Sequence, residues 1–380
     1  MRENNKKLRI GVLGAGAIGA YVGTCLSHLS HSRDTDVEVV LVGRESLKKS
    51  VSGAGNKIRI KSMLAAQQRL INNRGNIVNV QAPALTVTSD ASLLADMDII
   101  IVSVKATATE EAGTVLQQVL GRSNNKDCIV LSFQNGVGNR EILGDFLPSH
   151  NVLASMVEFN VMWDRDDASF HQTTGGFITM ETNNHVANED NFKLFCKLLK
   201  ATGIQTNVVT SKSIQEILYG KLLINLFNPV NALSGVSVPD TLAVYKWRAI
   251  YAACWQEALQ VYEAAGINPA KIKANPKLMP TLLRLPSWLF LCIQFFIAKT
   301  DKEAKSSMLQ DFLNGNKTEI DFINGQVVKL AEQNGTDAPI NKKMVSLIHS
   351  IEAEHDKNGN DNEKMGYPLT PIEVEKYLGL

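Results

Sequence analysis

The chain reads as an α/β half followed by an all-α half, and three observations carry that reading. Near-continuous apolar runs at residues 8–13, 37–42, 98–104 and 129–133 alternate with helix-length segments, the pattern of strands buried on both faces of a parallel sheet. Strand signals become sparse after residue 210, where helical periodicity takes over. Glycines Gly14, Gly16 and Gly19 follow the first run at G-x-G-x-x-G spacing and open an apolar helix. A doubly wound sheet over residues 1–210 and a helical half over 211–380 are therefore expected, with the boundary between Val209 and Ser213.

Each glycine has its own task. Gly14 permits a tight strand-to-helix turn, Gly16 lets the backbone approach a pyrophosphate, and Gly19 lets helix and strand pack closely. The N–H groups and positive dipole end of the new helix then meet the phosphates. The backbone of Gly14, Gly16, Ala17, Ile18 and Gly19 is thus the expected dinucleotide cradle of a Rossmann-type domain. An ordinary glycine-rich turn has the same spacing; the apolar strand before it and apolar helix after it favour the nucleotide.

The second strand bears on the choice of cofactor. Residues 37–42 end in Gly43-Arg44, with Lys48 and Lys49 close behind, where an NAD site normally places a carboxylate for the ribose 2′-hydroxyl. A guanidinium grips a 2′-phosphate bidentately and a carboxylate repels it, so NADP is favoured over NAD. The alternative is that Arg44 only caps a solvated loop.

Further along, residues 77–80 and 85–88 are short β-prone runs, while residues 52–79 as a whole are polar and read as irregular loop and short strands. Ligands of a doubly wound sheet bind beyond the carboxyl ends of its strands. Lys105 and Asn135, each just past an apolar run, become candidates by position; a solvated strand end and a simple Asn-Gly turn are the competing readings.

In the helical half, Ser213 to Glu216 has a capping-box pattern. Lys221, Asn225 and Asn228 follow at spacings of four and three, on one face, among apolar neighbours. Pro229 cannot supply the N–H that would bond the carbonyl of Asn225, so the helix should open there. A buried polar stripe is costly unless each group finds a partner, and it serves either a ligand or a structural network. Asn314-Gly315 should break a later helix, and Thr318 with Asp321 reads as the next capping box. Glu319 then falls in a first helical turn, where the dipole alone favours a carboxylate, or at an inter-domain cleft facing a polar ligand.

Composition narrows the class. At 380 residues the chain exceeds one typical core, and a net charge of +1 argues against a nucleic-acid binder or a polybasic membrane protein. The five cysteines are scattered, with neither disulfide-framework nor zinc spacing, so a reducing, cytoplasmic compartment and no metal are expected. The polar opening M-R-E-N-N-K-K runs directly into the first strand and leaves no room for a signal peptide. Residues 282–298 are strongly apolar, but Arg284, Pro286 and Gln294 interrupt them. The clean part is about a dozen residues, too short to span a bilayer. A buried helix, or one lining a hydrophobic cleft, is expected, without stable membrane insertion; a homodimer is compatible with the residues.

Taken together, G-A-G-A-I-G, V-K-A (104–106), Q-N-G-V-G (134–138), G-K-L-L-I-N (220–225) and S-S-M-L-Q-D…T-E-I-D-F-I-N-G (306–325) resemble the ketopantoate reductases, in that family's order across both halves. The resemblance implies NADPH-dependent reduction of 2-dehydropantoate, a 2-oxo acid, to pantoate on the route to pantothenate and coenzyme A. It implies Lys221 as general acid, Glu319 as a supporting carboxylate, Asn225 and Ser307 as substrate contacts, and Lys105 and Asn135 beside the nicotinamide ribose. The chain departs from the family pattern after the lysine: the N-P pair begins seven residues on rather than nine, leaving Asn228 or Asn231 as the further substrate asparagine. Residues 234–239 lack another family asparagine, and 270–305 are extended. A reductase of another branched 2-oxo acid or imine, or a non-catalytic NADP-binding sensor, are the rival readings.

Overall fold

The computed structural model describes residues 7–32, 36–62, 76–79, 85–123, 125–183, 186, 189–272, 275–297, 303–358 and 367–380. The chain divides into two compact units, Met1–Ile214 and Gln215–Leu380.

The first unit is built on an eight-stranded sheet. Its strands β1 (Leu8–Leu13), β2 (Val37–Val42), β5 (Leu85–Thr88), β6 (Ile99–Val102), β7 (Ile129–Ser132) and β8 (Asn151–Val157) run parallel in the order β5-β2-β1-β6-β7-β8. Counted along the sheet this is the 3-2-1-4-5-6 order of dinucleotide-binding domains, whose ligand crevice opens where the order reverses, between β1 and β6. Beyond β8 lie β11 (Phe177–Thr182), antiparallel to it, and β12 (Gln205–Thr210). Alternate residues feed two cores. Ile10, Val12, Val39, Leu41, Ile99 and Ile101 point to one face and Leu13, Val40, Val42, Ile100 and Val102 to the other, which is why these runs are apolar throughout.

A second, four-stranded sheet has the order β4-β3-β10-β9, from β3 (Lys57–Ser62), β4 (Asn76–Asn79), β9 (Val161–Asp164) and β10 (Ser169–Gln172). Helix α1 (Ala17–Ser32) packs against both sheets. Its Tyr21 is fully buried and donates a hydrogen bond to Gln172 Oε1 at 3.0 Å. The region read as irregular loop thus contains the end of α2 (Glu45–Gly53), β3 and β4; residues 63–75 and Val80 lie outside the described residues. Helices α3 (Thr109–Gly121), α4 (Asn139–Phe146) and α5 (Glu189–Ala201) complete this unit.

The second unit is helical. Around α9 (Tyr245–Ala264), buried along much of its length, pack α7 (Phe227–Ser234), α8 (Val238–Ala243), α10 (Met279–Leu283), α13 (Asn324–Gln333), α14 (Pro339–Asn358) and α15 (Pro371–Leu378). Two charged side chains of α9 pin its neighbours. Glu257 accepts the backbone N–H groups of Ile340 and Asn341 at 2.9 and 2.8 Å, capping the positive end of α14. Arg248, 0% exposed, donates to the carbonyls of Leu242, Ala243, Leu283 and Leu285 at 2.7–3.2 Å and to Ser287 Oγ at 3.3 Å. Those four carbonyls lie at or just past the ends of α8 and α10, where a cation complements the helix dipole.

Both expected capping boxes are absent. Helix α6 (Ser211–Asn225) begins two residues earlier than its apolar pattern predicts, and Thr210 Oγ1 accepts the N–H of Ser213 at 3.4 Å. The N–H of Thr318 is taken at 2.8 Å by Glu352 of α14, not by Asp321, which faces His349 at 3.1 Å. A carboxylate from a distant helix supplies what the local pattern promised.

Candidate active site

In the first unit, the glycine loop has the geometry its spacing predicts. Gly14 has φ +88°, and a Cβ there would lie 2.6 Å from the backbone N of Val104. A Cβ on Gly19 would collide with Ser103 Oγ and lie 2.8 Å from Val12 Cγ1, so only glycine lets α1 sit this close to β1 and β6. Gly16 is different: its nearest foreign atom is 3.9 Å away, leaving open space above the backbone where a ligand can approach. Ala17 and Ile18, half-buried, open α1, whose first N–H groups have no acceptor within the helix. Ser103 Oγ donates to the carbonyl of Gly14 at 2.9 Å, tying the loop after β6 to the loop after β1.

Arg44 is exposed and stands directly before α2. The neighbouring carboxylate of Glu45 accepts a hydrogen bond from Ser89 at 2.6 Å and lies 3.9 Å from Lys48. That hydrogen bond, and then Lys48, hold its carboxyl below the usual carboxylate range.

Lys105 and Asn135 are both exposed, in the loops after β6 and β7. A buried brace that the sequence reading did not identify connects those loops. Gln134, 5% exposed, donates from Nε2 to Thr109 Oγ1 at 2.7 Å and accepts from Ser132 Oγ at 3.0 Å. Asn139 reaches Thr109 Oγ1 at 2.9 Å and donates to the carbonyl of Asn135 at 2.8 Å. The Q-N-G spacing was a usable signal: a buried glutamine beside a strand end needs partners, and Thr109 supplies one.

In the second unit, Lys221 and Asn225 lie one turn apart on α6, both half-buried; Lys221 is not the fully buried lysine that its apolar neighbours predict. The residue before Lys221 is glycine because a Cβ at Gly220 would collide with the carbonyl oxygen of Ala270. The helix breaks at Leu226, where Pro229 withholds the N–H that Asn225 would accept. Buried Tyr251 answers the break: its hydroxyl lies 3.3 Å from the carbonyl of Leu223 and 3.2 Å from that of Ile224.

Of the two candidate asparagines after the break, Asn231 is fully buried and structural. It accepts the N–H of Ser306 at 2.9 Å and donates to Val236 O and Thr241 Oγ1, each at 2.9 Å. Asn228 is half-buried, and its amide reaches Ser307 Oγ over a long 3.5 Å, bringing two of the predicted substrate contacts together. Ser306 caps α12 (Ser307–Leu313), leaving Ser307 exposed in its first turn; α12 ends at Leu313 before Gly315 with φ +64°. Glu319 is half-buried and precedes a short 3₁₀ turn, Ile320–Phe322, rather than lying inside an α-helix.

A separate cleft of about 500 Å³ lies in the first unit, lined by Lys193, Cys196, Lys197, Lys200 and Val208 among others. None of the residues singled out from the sequence lines it, so it is not part of this constellation.

Known proteins share this architecture. Residues 10–185 match the model described as ketopantoate reductase PanE/ApbA, and residues 213–352 match its C-terminal counterpart. The 2-dehydropantoate 2-reductase of Archaeoglobus fulgidus is 25% identical over 349 residues, covering 91% of this chain and 98% of that protein. The Bacillus subtilis enzyme of the same name is 23% identical over 351 residues, covering 92% and 99%. Among solved structures, a ketopantoate reductase from Ralstonia eutropha superposes with a TM-score of 0.71 at 21% identity, covering 92% of this chain and 100% of that one. A D-mandelate dehydrogenase with NADH and anilino(oxo)acetate does so with a TM-score of 0.68, at the same identity and coverage. With both halves matched in order, the chain belongs to the ketopantoate reductase family of oxidoreductases.

Proposed function

We propose that the protein reduces 2-dehydropantoate to pantoate with NADPH, serving pantothenate and coenzyme A synthesis. The observation that carries this reading is the polar set of the second unit: Lys221 and Asn225 one turn apart, with Asn228 and Ser307 joined beyond the helix break. A bound NADPH would supply the hydride. The open backbone at Gly16 and the start of α1 fit its pyrophosphate, with Lys105 and Asn135 at the adjacent strand ends fitting the nicotinamide ribose.

As hydride reaches C2 of the 2-oxo acid, negative charge gathers on the ketone oxygen. The Lys221 ammonium stabilises that charge and gives up the proton that completes the alcohol. Asn225, Asn228 and Ser307 can hold the carboxylate and hydroxyl ends of the substrate, and Glu319 supports the lysine's charge. The assay is consumption of NADPH with 2-dehydropantoate against a panel of other 2-oxo acids. Turnover of others without that one abandons the assignment.

A second reading, reduction of a different branched or aromatic 2-oxo acid, is favoured by the likeness to a D-mandelate dehydrogenase and by the altered spacing after Lys221. The same panel separates the two.

Two variants test the cofactor assignment. Arg44→Ala is expected to weaken NADPH binding by about tenfold or more while leaving NADH nearly unchanged, because only the former carries a 2′-phosphate. An unaltered ratio of the two dissociation constants removes the case for NADP. Gly16→Ala places a methyl in space the fold leaves open, so dinucleotide affinity should fall by about tenfold with no change in melting temperature. Loss of both together would mark Gly16 as structural.

A further inference from the structure

We propose that helix α11 (Ser287–Ile297) docks this protein reversibly on an anionic membrane surface. The whole-chain charge near zero conceals a local imbalance. From Ala264 to Thr300 there is no Asp or Glu, while Lys271, Lys273, Lys277, Arg284 and Lys299 are all basic. Within that stretch lies the most apolar helix of the described residues, S-W-L-F-L-C-I-Q-F-F-I, expected from its sequence to be buried or to line a hydrophobic cleft.

Only part of it is. Phe290, 9% exposed, packs inward with the Arg248 guanidinium 4.4 Å above its ring. Trp288, Leu291 and Cys292 share the opposite stripe at three- and four-residue spacing, and all are exposed, Trp288 at 69% and Leu291 at 42%. Lys271, Lys277 and Arg284 are exposed as well, and Leu278 beside Lys277 is 56% exposed. Arg284 stands four residues before Trp288, within about 14 Å by chain reach.

An exposed apolar stripe in a segment whose charged residues are all basic marks an interaction surface. Its chemistry selects the partner. A second copy meeting the same patch about a two-fold axis would set like charges against each other. Anionic headgroups neutralise them, while the indole of Trp288 suits the boundary between headgroup and acyl chain. Adsorption is the limit: the helix has 11 residues, too short to cross, and no helix of the described residues is long and apolar enough to do so.

Cys292 provides the probe, since Cys25, Cys128, Cys196 and Cys254 are buried. The full chain, labelled at Cys292 with a polarity-sensitive fluorophore, is mixed with phosphatidylcholine vesicles with or without phosphatidylglycerol. Expected are a blue shift and co-sedimentation with the anionic vesicles only, reversed by salt. Trp288→Ser with Leu291→Ser, and separately Lys277→Glu with Arg284→Glu, should each lower partitioning by about tenfold or more with turnover unchanged. The proposal is overturned if the label stays in water with anionic vesicles, or if both vesicle types bind equally. It is also overturned if sedimentation equilibrium shows a dimer that shields the label without lipid.

Discussion

Lys221→Ala should lower kcat by about 10²- to 10⁴-fold while NADPH affinity stays within about twofold. The argument is chemical. A ketone that accepts hydride must shed the charge that gathers on its oxygen, and at neutral pH an ammonium does this by donation. Lys221 sits on a helix held against the backbone of residue 270, with Gly220 as the contact point, so alanine in its place leaves that packing untouched. Its half-buried position also makes large destabilisation unexpected. Lys221→Arg is the informative companion: it keeps the charge but holds its proton too tightly to give it up, so it should remain well below the native rate. Pre-steady-state reduction and cofactor fluorescence titration read the two quantities separately. Equal loss of both would make the lysine a structural one.

Arg248→Ala should cost about 3–5 kcal/mol of stability, read by chemical denaturation. The side chain is fully buried and satisfies four carbonyls and a hydroxyl around the ends of α8 and α10 and the start of α11. Removing it takes the guanidinium donor from the carbonyls of Leu242, Leu283 and Leu285, leaves Ala243 with only the Ser287 hydroxyl, and takes away the cation over Phe290. Arg248→Lys should recover only part of the loss, because one ammonium cannot reproduce the spread of a guanidinium fork. A cost below about 1 kcal/mol would mean that water enters and replaces the contacts.

What the sequence revealed and what it hid divide along physical lines. The strands of the large sheet were visible because burial on both faces demands an unbroken apolar run, a property of consecutive residues. The glycine loop was visible because steric demands at Gly14 and Gly19 admit no other residue, and the break before Phe227 because Pro229 lacks a donor. Features that depend on distant partners were not. The Gln134–Thr109–Asn139 brace joins segments 25 and 30 residues from Thr109; the local sequence signals that Gln134 needs partners but not which residues supply them. The box expected at Thr318 was displaced by Glu352, 34 residues away. Asn228 and Asn231 look alike in sequence; only packing shows that Asn231 is committed to Ser306, Val236 and Thr241. The apolarity of 282–298 was plain, but apolar residues do not say whether their cover lies within the same chain. Exposed Trp288 shows that the cover is incomplete; Ala298 itself lies outside the described residues.

The clamping of α1 between two sheets has a thermodynamic corollary. A helix gripped on both sides, with Tyr21 anchored to Gln172, has little room to rearrange. On the proposed cofactor site, the amides at its start are therefore aligned in advance, and association would forfeit little backbone freedom at that end of the ligand. Whatever adaptation accompanies binding must occur elsewhere in the molecule.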